Sequence, residues 1–240
     1  MKFKLNLFTT FAIFSVLTST FASAFNVDKM IIVADKKGNG VVTLINDESH
    51  PIFVDGKVEE IQVVDGDEIV RHRYKRDNLD DWKISLTHPR LVLRPGEEKD
   101  VGIRSLCHNT SCDNSKDLMF MLPFTPSRYK KEGEKLNGVE INYGFSPMYI
   151  VPTIKPNFNY KLYNRGEKLR IDNDSNTLID VYVNSCSKYN STQCKQKFTV
   201  VSGRDKTFSL AKNTQSEQLN VTVTSYNKKY SNELELTILQ

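Results

Sequence analysis

Leu136-Asn137-Gly138-Val139-Glu140-Ile141-Asn142-Tyr143-Gly144-Phe145-Ser146-Pro147-Met148-Tyr149-Ile150-Val151-Pro152 is the stretch from which the rest of the chain is read. Val139, Ile141, Tyr143 and Phe145 alternate with Glu140, Asn142, Gly144 and Ser146, the two-residue period of a strand with one apolar face. After Pro147 the pattern becomes solidly apolar from Met148 to Val151, as in a strand buried on both faces. A strand is therefore expected over 138–151. Pro147 cannot donate to a ladder, which favours an edge strand or a bulge at that point. An apolar edge strand is open to pairing with another chain. The same pattern also suits a half-buried core strand, and the stretch alone leaves both readings open.

The compartment comes from the other end of the chain. Met1–Ala24 has a basic start (Lys2, Lys4), an apolar run from Leu5 to Leu17, and Ala22-Ser23-Ala24 before Phe25, the pattern of a cleaved secretory signal peptide. The apolar run is interrupted by polar residues and is too short to span a bilayer, and no later segment approaches a span, so no stable membrane insertion is expected. Of the formal charge of +4, two units are Lys2 and Lys4 in this leader. The remaining mild basicity, without a basic stripe and interleaved aromatics, gives no nucleic-acid partner.

Secretion makes the four cysteines interpretable. Cys107/Cys112 and Cys186/Cys194 form two close pairs, and local disulfides are expected in an oxidising compartment. Closing loops this small is worth roughly 2–3 kcal/mol each. The Cys107-His108-Cys112 cluster has a zinc-like look but no second ligand pair of matching spacing, so no metal and no cofactor is expected.

Helical periodicity is scarce. Short β-branched and aromatic runs recur between turn signals, which predicts an all-β fold. Strands are expected at 27–34, 40–46, 51–64, 82–86, 91–94, 100–107, 117–124 and 138–151. A polar, Pro156-containing linker over 153–159 then leads to 160–163, 168–173, 178–185, 197–201, 207–210, 219–225 and 233–239. The division is 1–24 signal peptide, 25–153 first domain and 154–240 second domain. Two charged stretches, Arg71–Asp81 and Arg128–Asn137, read as mobile loops. The second leads into the alternating strand and would let it lengthen when a partner docks.

With these pieces in place the chain resembles the PapD-like periplasmic chaperones of the chaperone–usher pathway. Three segments carry the resemblance. One is His88-Pro89-Arg90-Leu91-Val92-Leu93-Arg94-Pro95-Gly96 with Val101-Gly102-Ile103-Arg104, His88 standing where Ser is usual. Another runs from Asp117-Leu118-Met119-Phe120 through Pro123-Phe124 to Tyr143-Gly144-Phe145-Ser146-Pro147. The third is Gly166-Glu167-Lys168-Leu169-Arg170-Ile171-Asp172-Asn173 with Asn176 close behind.

The resemblance implies two immunoglobulin-like sandwiches set at an angle, no enzymatic activity, and a periplasmic location. It also implies two partners, a pilin or fimbrial subunit and an outer-membrane usher. The chaperone lends its edge strand to the incomplete subunit, and the donor face falls on Val139, Ile141, Tyr143 and Phe145. The family's basic anchors for the subunit's terminal carboxylate fall here on Ile31 and near Pro147, neither of them basic. Lys29, Arg90 and Arg104 are the substitute candidates, with Lys29 placed on the same strand face as Ile31.

Three other readings carry less. His50, His72, His88 and His108 sit in unrelated contexts, and no nucleophile elbow or metal-type His pair supports an enzyme. A secreted immunoglobulin-like adhesin or receptor would use the sequons at Asn109, Asn173, Asn190 and Asn220. It would also be expected to bridge its sandwich with distant cysteines around a tryptophan, and Trp82 lies between neither pair. A pilus subunit would carry a strong donor extension at its N-terminus, and none is read here.

Overall fold

The computed structural model describes residues 24–107, 112–129, 141–186 and 193–238. Residues 1–23, where a signal peptide is expected, 108–111, 130–140 (with Val139), 187–192 and 239–240 lie outside the described residues. The chain is nearly all strand. The first half contains β1 (Phe25–Val27), β2 (Ile31–Val33), β3 (Gly40–Asn46), β4 (Ile52–Gly56), β5 (Glu59–Val64), β6 (Glu68–Arg73), β7 (Ile84–Leu86), β8 (Arg90–Leu93), β9 (Glu98–Ser105), β10 (Leu118–Met121), β11 (Phe124–Arg128) and β12 (Met148–Val151). The second contains β13 (Tyr160–Asn164), β14 (Lys168–Asn173), β15 (Ile179–Asn184), β16 (Lys195–Val200), β17 (Arg204–Ser209), β18 (Gln218–Ser225) and β19 (Ser231–Thr237).

In the first half, the sheet β1-β3-β9-β7 faces the ladders β2-β12-β10-β5-β6 and β11-β4-β8. The alternation of each strand puts Leu44, Ile103 and Ile84 from one side and Phe120, Phe124, Tyr149 and Leu93 from the other into one core. The two ladders are one sheet. Opposed residue numbers keep a constant sum from Met119↔Ile61 and Met121↔Glu59 through Phe124↔Gly56 to Arg128↔Ile52. The ladder is interrupted only at Pro123, whose carbonyl accepts the Lys57 N–H at 2.9 Å but which has no N–H to return.

Tyr149 is completely buried, its hydroxyl donates to the Gly38 carbonyl at 2.6 Å, and burial raises its pKa. A Cβ on Gly40 would lie 2.7 Å from its ring, so only glycine fits beneath it. The chain changes sheets at Asp28–Met30: β1 pairs with β3, whereas β2 runs parallel to β12. The second half packs β13-β14-β17 against β16-β15-β18-β19 around Leu169, Ile171, Ile179, Val181, Val221 and Val223. Asn46 and Asn173, both fully buried, each reach three backbone carbonyls with Nδ2, satisfying loop ends that no ladder covers.

The cysteines pair as Cys107–Cys112 and Cys186–Cys194, with Cα–Cα distances of 5.5 and 4.9 Å. Several sequence expectations need correction. The 27–34 strand is two strands in different sheets. The charged 71–81 stretch is not a loop throughout: Glu68–Arg73 is the edge strand β6 and Arg76–Asp81 a 3-10 turn. The strand is held across the ladder, where Arg71 and Arg73 both bond the buried Glu59 carboxylate, at 3.2 and 2.8 Å. Such charge compensation is invisible to a search for apolar alternation.

The two halves meet at Asp117, which is 2% exposed. Its carboxylate accepts from the Thr153 N–H (2.8 Å), the Leu178 N–H (2.8 Å) and the Thr177 hydroxyl (3.1 Å). Burial raises its pKa against the lowering effect of these three donors. Asn176 adds bonds to the Ser115 and Lys155 carbonyls, and at the far edge the Asp205 N–H donates to Gly66 at 2.8 Å. Asp117→Ala would orphan three buried donors. We expect a loss of about 1–3 kcal/mol, read by denaturant titration, with the two halves unfolding at more widely separated midpoints than in the parent protein. An unfolding profile unchanged from the parent's would show that Asp117 does not couple them.

Candidate functional site

Local physics makes 141–147 different from the strand it runs into. Met148–Val151 is flanked on both sides: Met121↔Met148 and Leu118↔Val151 join it to β10, while Met148↔Ile31 and Ile150↔Val33 join it to β2. Tyr149 enters the core from one face. On the other face Ile150 lies beside Met119, itself opposite Ile61, and all three are buried. The expectation of a doubly buried segment therefore holds at Tyr149 and Ile150, with Met148 and Val151 half-buried at its ends.

The expectation of a continuous strand over 138–151 does not hold. Ile141–Gly144 is not part of a strand, and Phe145 makes one isolated antiparallel bridge to Phe124. That bridge keeps the register of β10–β12: the Phe124 N–H donates to the Phe145 carbonyl at 2.7 Å and the Phe145 N–H to the Phe124 carbonyl at 3.1 Å. The segment thus lies along the same ladder without being zipped into it. Gly144 sits close against β11, where a Cβ would come 2.7 Å from the Phe124 carbonyl oxygen.

Phe145 is half-buried and tilts against Phe25 with ring centroids 6.0 Å apart, so the apolar face begins inside the core. Ile141 and Tyr143, next on that face when extended, are 73% and 75% exposed. Val139 lies outside the described residues. On the outer edge, no backbone bond from Asn142, Gly144 or Ser146 to another described residue is present. The result is an apolar half-strand with an unpaired edge, continuous with a rigid sheet.

The three anchor candidates are not brought together. Lys29 lies in the bend before β2 rather than on the strand face of Ile31, which corrects that placement; it pairs with Asp28 at 3.1 Å and stands next to Met30, whose carbonyl accepts the Met148 N–H. Arg90 is on the outer face of its sheet and bonds Asp55 at 3.1 Å. Arg104 is exposed between the buried Ile103 and Ser105, on the outer face of the opposite sheet. Only Lys29 adjoins the open edge. Sequence reasoning missed Phe25, whose ring packs on Phe145, and the backbone bridge that Phe124 makes to it. Their positions in the alternation of β1 and β11 gave no sign that they meet.

The comparisons with known proteins fit this geometry. A family model described as the CS5 fimbrial protein N-terminal domain matches residues 27–152. An uncharacterized 25.9 kDa protein in the CS5 3' region of Escherichia coli is 23% identical over 183 residues, covering 75% of this chain and 78% of its own. Among solved structures, the class 5 fimbriae chaperone CfaA superposes with a TM-score of 0.51 at 12% identity, covering 90% of this chain and all of its own. A Salmonella enterica SafA pilin–SafB chaperone complex gives 0.52 at 11% identity over 92% of this chain and 99% of that one. The periplasmic chaperone SfaE gives 0.52 at 7% identity over 90% of this chain. The fold is the two-domain β fold of these chaperones.

Ile141→Asp should be nearly neutral for the free protein, within about 0.5 kcal/mol, because the side chain is largely in water. Phe120→Ala, in the sealed core, should cost about 3–5 kcal/mol. Thermal and denaturant midpoints of the two variants check the contrast, and equal losses would mean that Ile141 belongs to the core.

Proposed function

Because the chain belongs to the family defined by the CS5 fimbrial protein N-terminal domain and has the fold of a periplasmic pilus chaperone, we propose that it binds fimbrial subunits by strand donation. In this reading the leader is cleaved on secretion, the mature protein works in the periplasm, and it hands its subunits to an outer-membrane usher. One observation carries the reading: the half-strand 141–146 continues the register of a buried ladder while leaving its outer edge unpaired and Ile141 and Tyr143 in water.

The chemistry follows from what a subunit short of one strand exposes, namely an apolar groove flanked by unpaired backbone. The donated segment supplies ladder bonds from Asn142, Gly144 and Ser146, and places Ile141 and Tyr143 in the groove, with Val139 next in the alternation. Burying each of these large side chains is worth about 1.5–3 kcal/mol before the cost of ordering the segment. A carboxylate at the end of the subunit would meet Lys29, the one basic candidate beside the open edge. Arg90, already paired with Asp55, and Arg104, on the opposite sheet, fit that role less well. No metal or cofactor enters, since the binding is backbone pairing and apolar burial.

The test is recovery of a fimbrial subunit when it and the chain are co-expressed in the periplasm. Ile141→Asp and Tyr143→Asp should reduce subunit recovery to the level seen without chaperone, while the chaperone itself stays folded and abundant. Lys29→Ala should lower recovery at least tenfold if it pairs with a partly desolvated carboxylate, because an exposed pair would be worth only about 0–1 kcal/mol. Normal recovery with both Asp variants would exclude this face as the donor and return the chain to the adhesin or receptor reading.

A further inference from the structure

We propose that Pro126 is a positioning residue: it holds Ile141–Gly144 unzipped in the free chain, so that the donor strand completes only when a partner strand occupies its outer edge. In an antiparallel ladder every second opposed pair exchanges two hydrogen bonds. Phe124/Phe145 is such a pair. The next ones on either side, in the same register, are Leu122/Pro147 and Pro126/Tyr143, and each contains a proline. On the Pro147 side the Leu122 N–H reaches the Pro147 carbonyl at 2.9 Å and nothing returns. On the other side Pro126 has no N–H to offer Tyr143, and no bond between the two is present among the described residues.

The two half-pairs have different surroundings, and that decides which one closes. Beyond Pro147 the strand is trapped between β2 and β10, with Tyr149 sealed in the core. Beyond Phe145 no second flanking strand is present among the described residues, and Ile141 and Tyr143 stand 73% and 75% exposed. A single possible hydrogen bond does not offset the entropy of fixing further residues. A partner strand changes the balance by bonding Asn142, Gly144 and Ser146 and by covering the two side chains. The free protein thereby avoids presenting a finished apolar edge strand, the structure most prone to pair with the wrong chain.

The binding consequence rests on the strand-donation reading, but the conformational claim does not. Pro126→Val restores the N–H that faces Tyr143 and suits a strand position. Pro123→Val is the control, since its restored N–H faces Lys57 on the opposite edge. Amide hydrogen exchange on the full mature chain without partner should show protection at Tyr143 and Ile141, the two amides that face the inner ladder, rising about fivefold in Pro126→Val, the effect of one added hydrogen bond. Pro123→Val should leave those amides as in the parent. Unchanged protection in Pro126→Val, or an equal rise in both variants, overturns the assignment. If Pro126→Val fails to fold, Pro126→Ala restores the same N–H with less bulk and is judged by the same readout. Failure of the chaperone reading would appear only in subunit recovery and leaves this exchange result to decide the role of Pro126.

Discussion

The first half of the molecule depends on one ladder. Residues 118–128 are opposed on one side by 52–61 and on the other by 145–151, each in a single unbroken register. Because side chains alternate strictly, that register sends Phe120, Leu122, Phe124, Phe145 and Tyr149 to the core face together. A slip of one residue would turn all of them to the opposite face. The three prolines, Pro123, Pro126 and Pro147, delete donors from the ladder without moving its register. The sheet therefore stays aligned where packing holds it and stays open where packing stops.

Rigidity and openness are arranged end to end along the same strand. Tyr149 and its bond to Gly38 pin one end, and two neighbouring strands satisfy its backbone. A few residues earlier the chain is in water on its apolar face and unpaired on its outer edge. This gradient suits the proposed strand donation: a fixed base that sets the direction, and a tip whose ordering would be left for the partner to drive. The junction at Asp117 belongs to the base. It ties the start of β10 to Thr153 and to Thr177–Leu178, so the second half buttresses the strand beside β12 rather than the tip.

Much of this was legible in the chain. The all-β class follows from period-two runs between turn residues, and the pairing of neighbouring cysteines from their spacing. Strands such as Gly40–Asn46 and Lys168–Asn173 match the sequence limits because apolar alternation and turn signals coincide at both ends. Misreadings arose where something other than apolar periodicity decides the structure. Glu68–Arg73 is a strand because buried Glu59 gathers two arginines across the ladder. The break at Asp28–Met30 exists because β1 and β2 pair with different sheets.

The same division runs through the site. Sequence by itself determined which residues form the apolar face of the half-strand, since a two-residue period needs no knowledge of neighbours. It also marked Pro147 as a point where the ladder loses a donor. Only the tertiary structure decided where the strand stops. Whether Tyr143 zips to Pro126 depends on what lies opposite, on whether an outer strand exists, and on whether burial is gained, all properties of residues distant in the chain. It likewise decided that Lys29 adjoins the open edge while Arg90 and Arg104 lie on outer faces of opposing sheets. Charge is written in the sequence, but proximity is set by how the sheets close on one another.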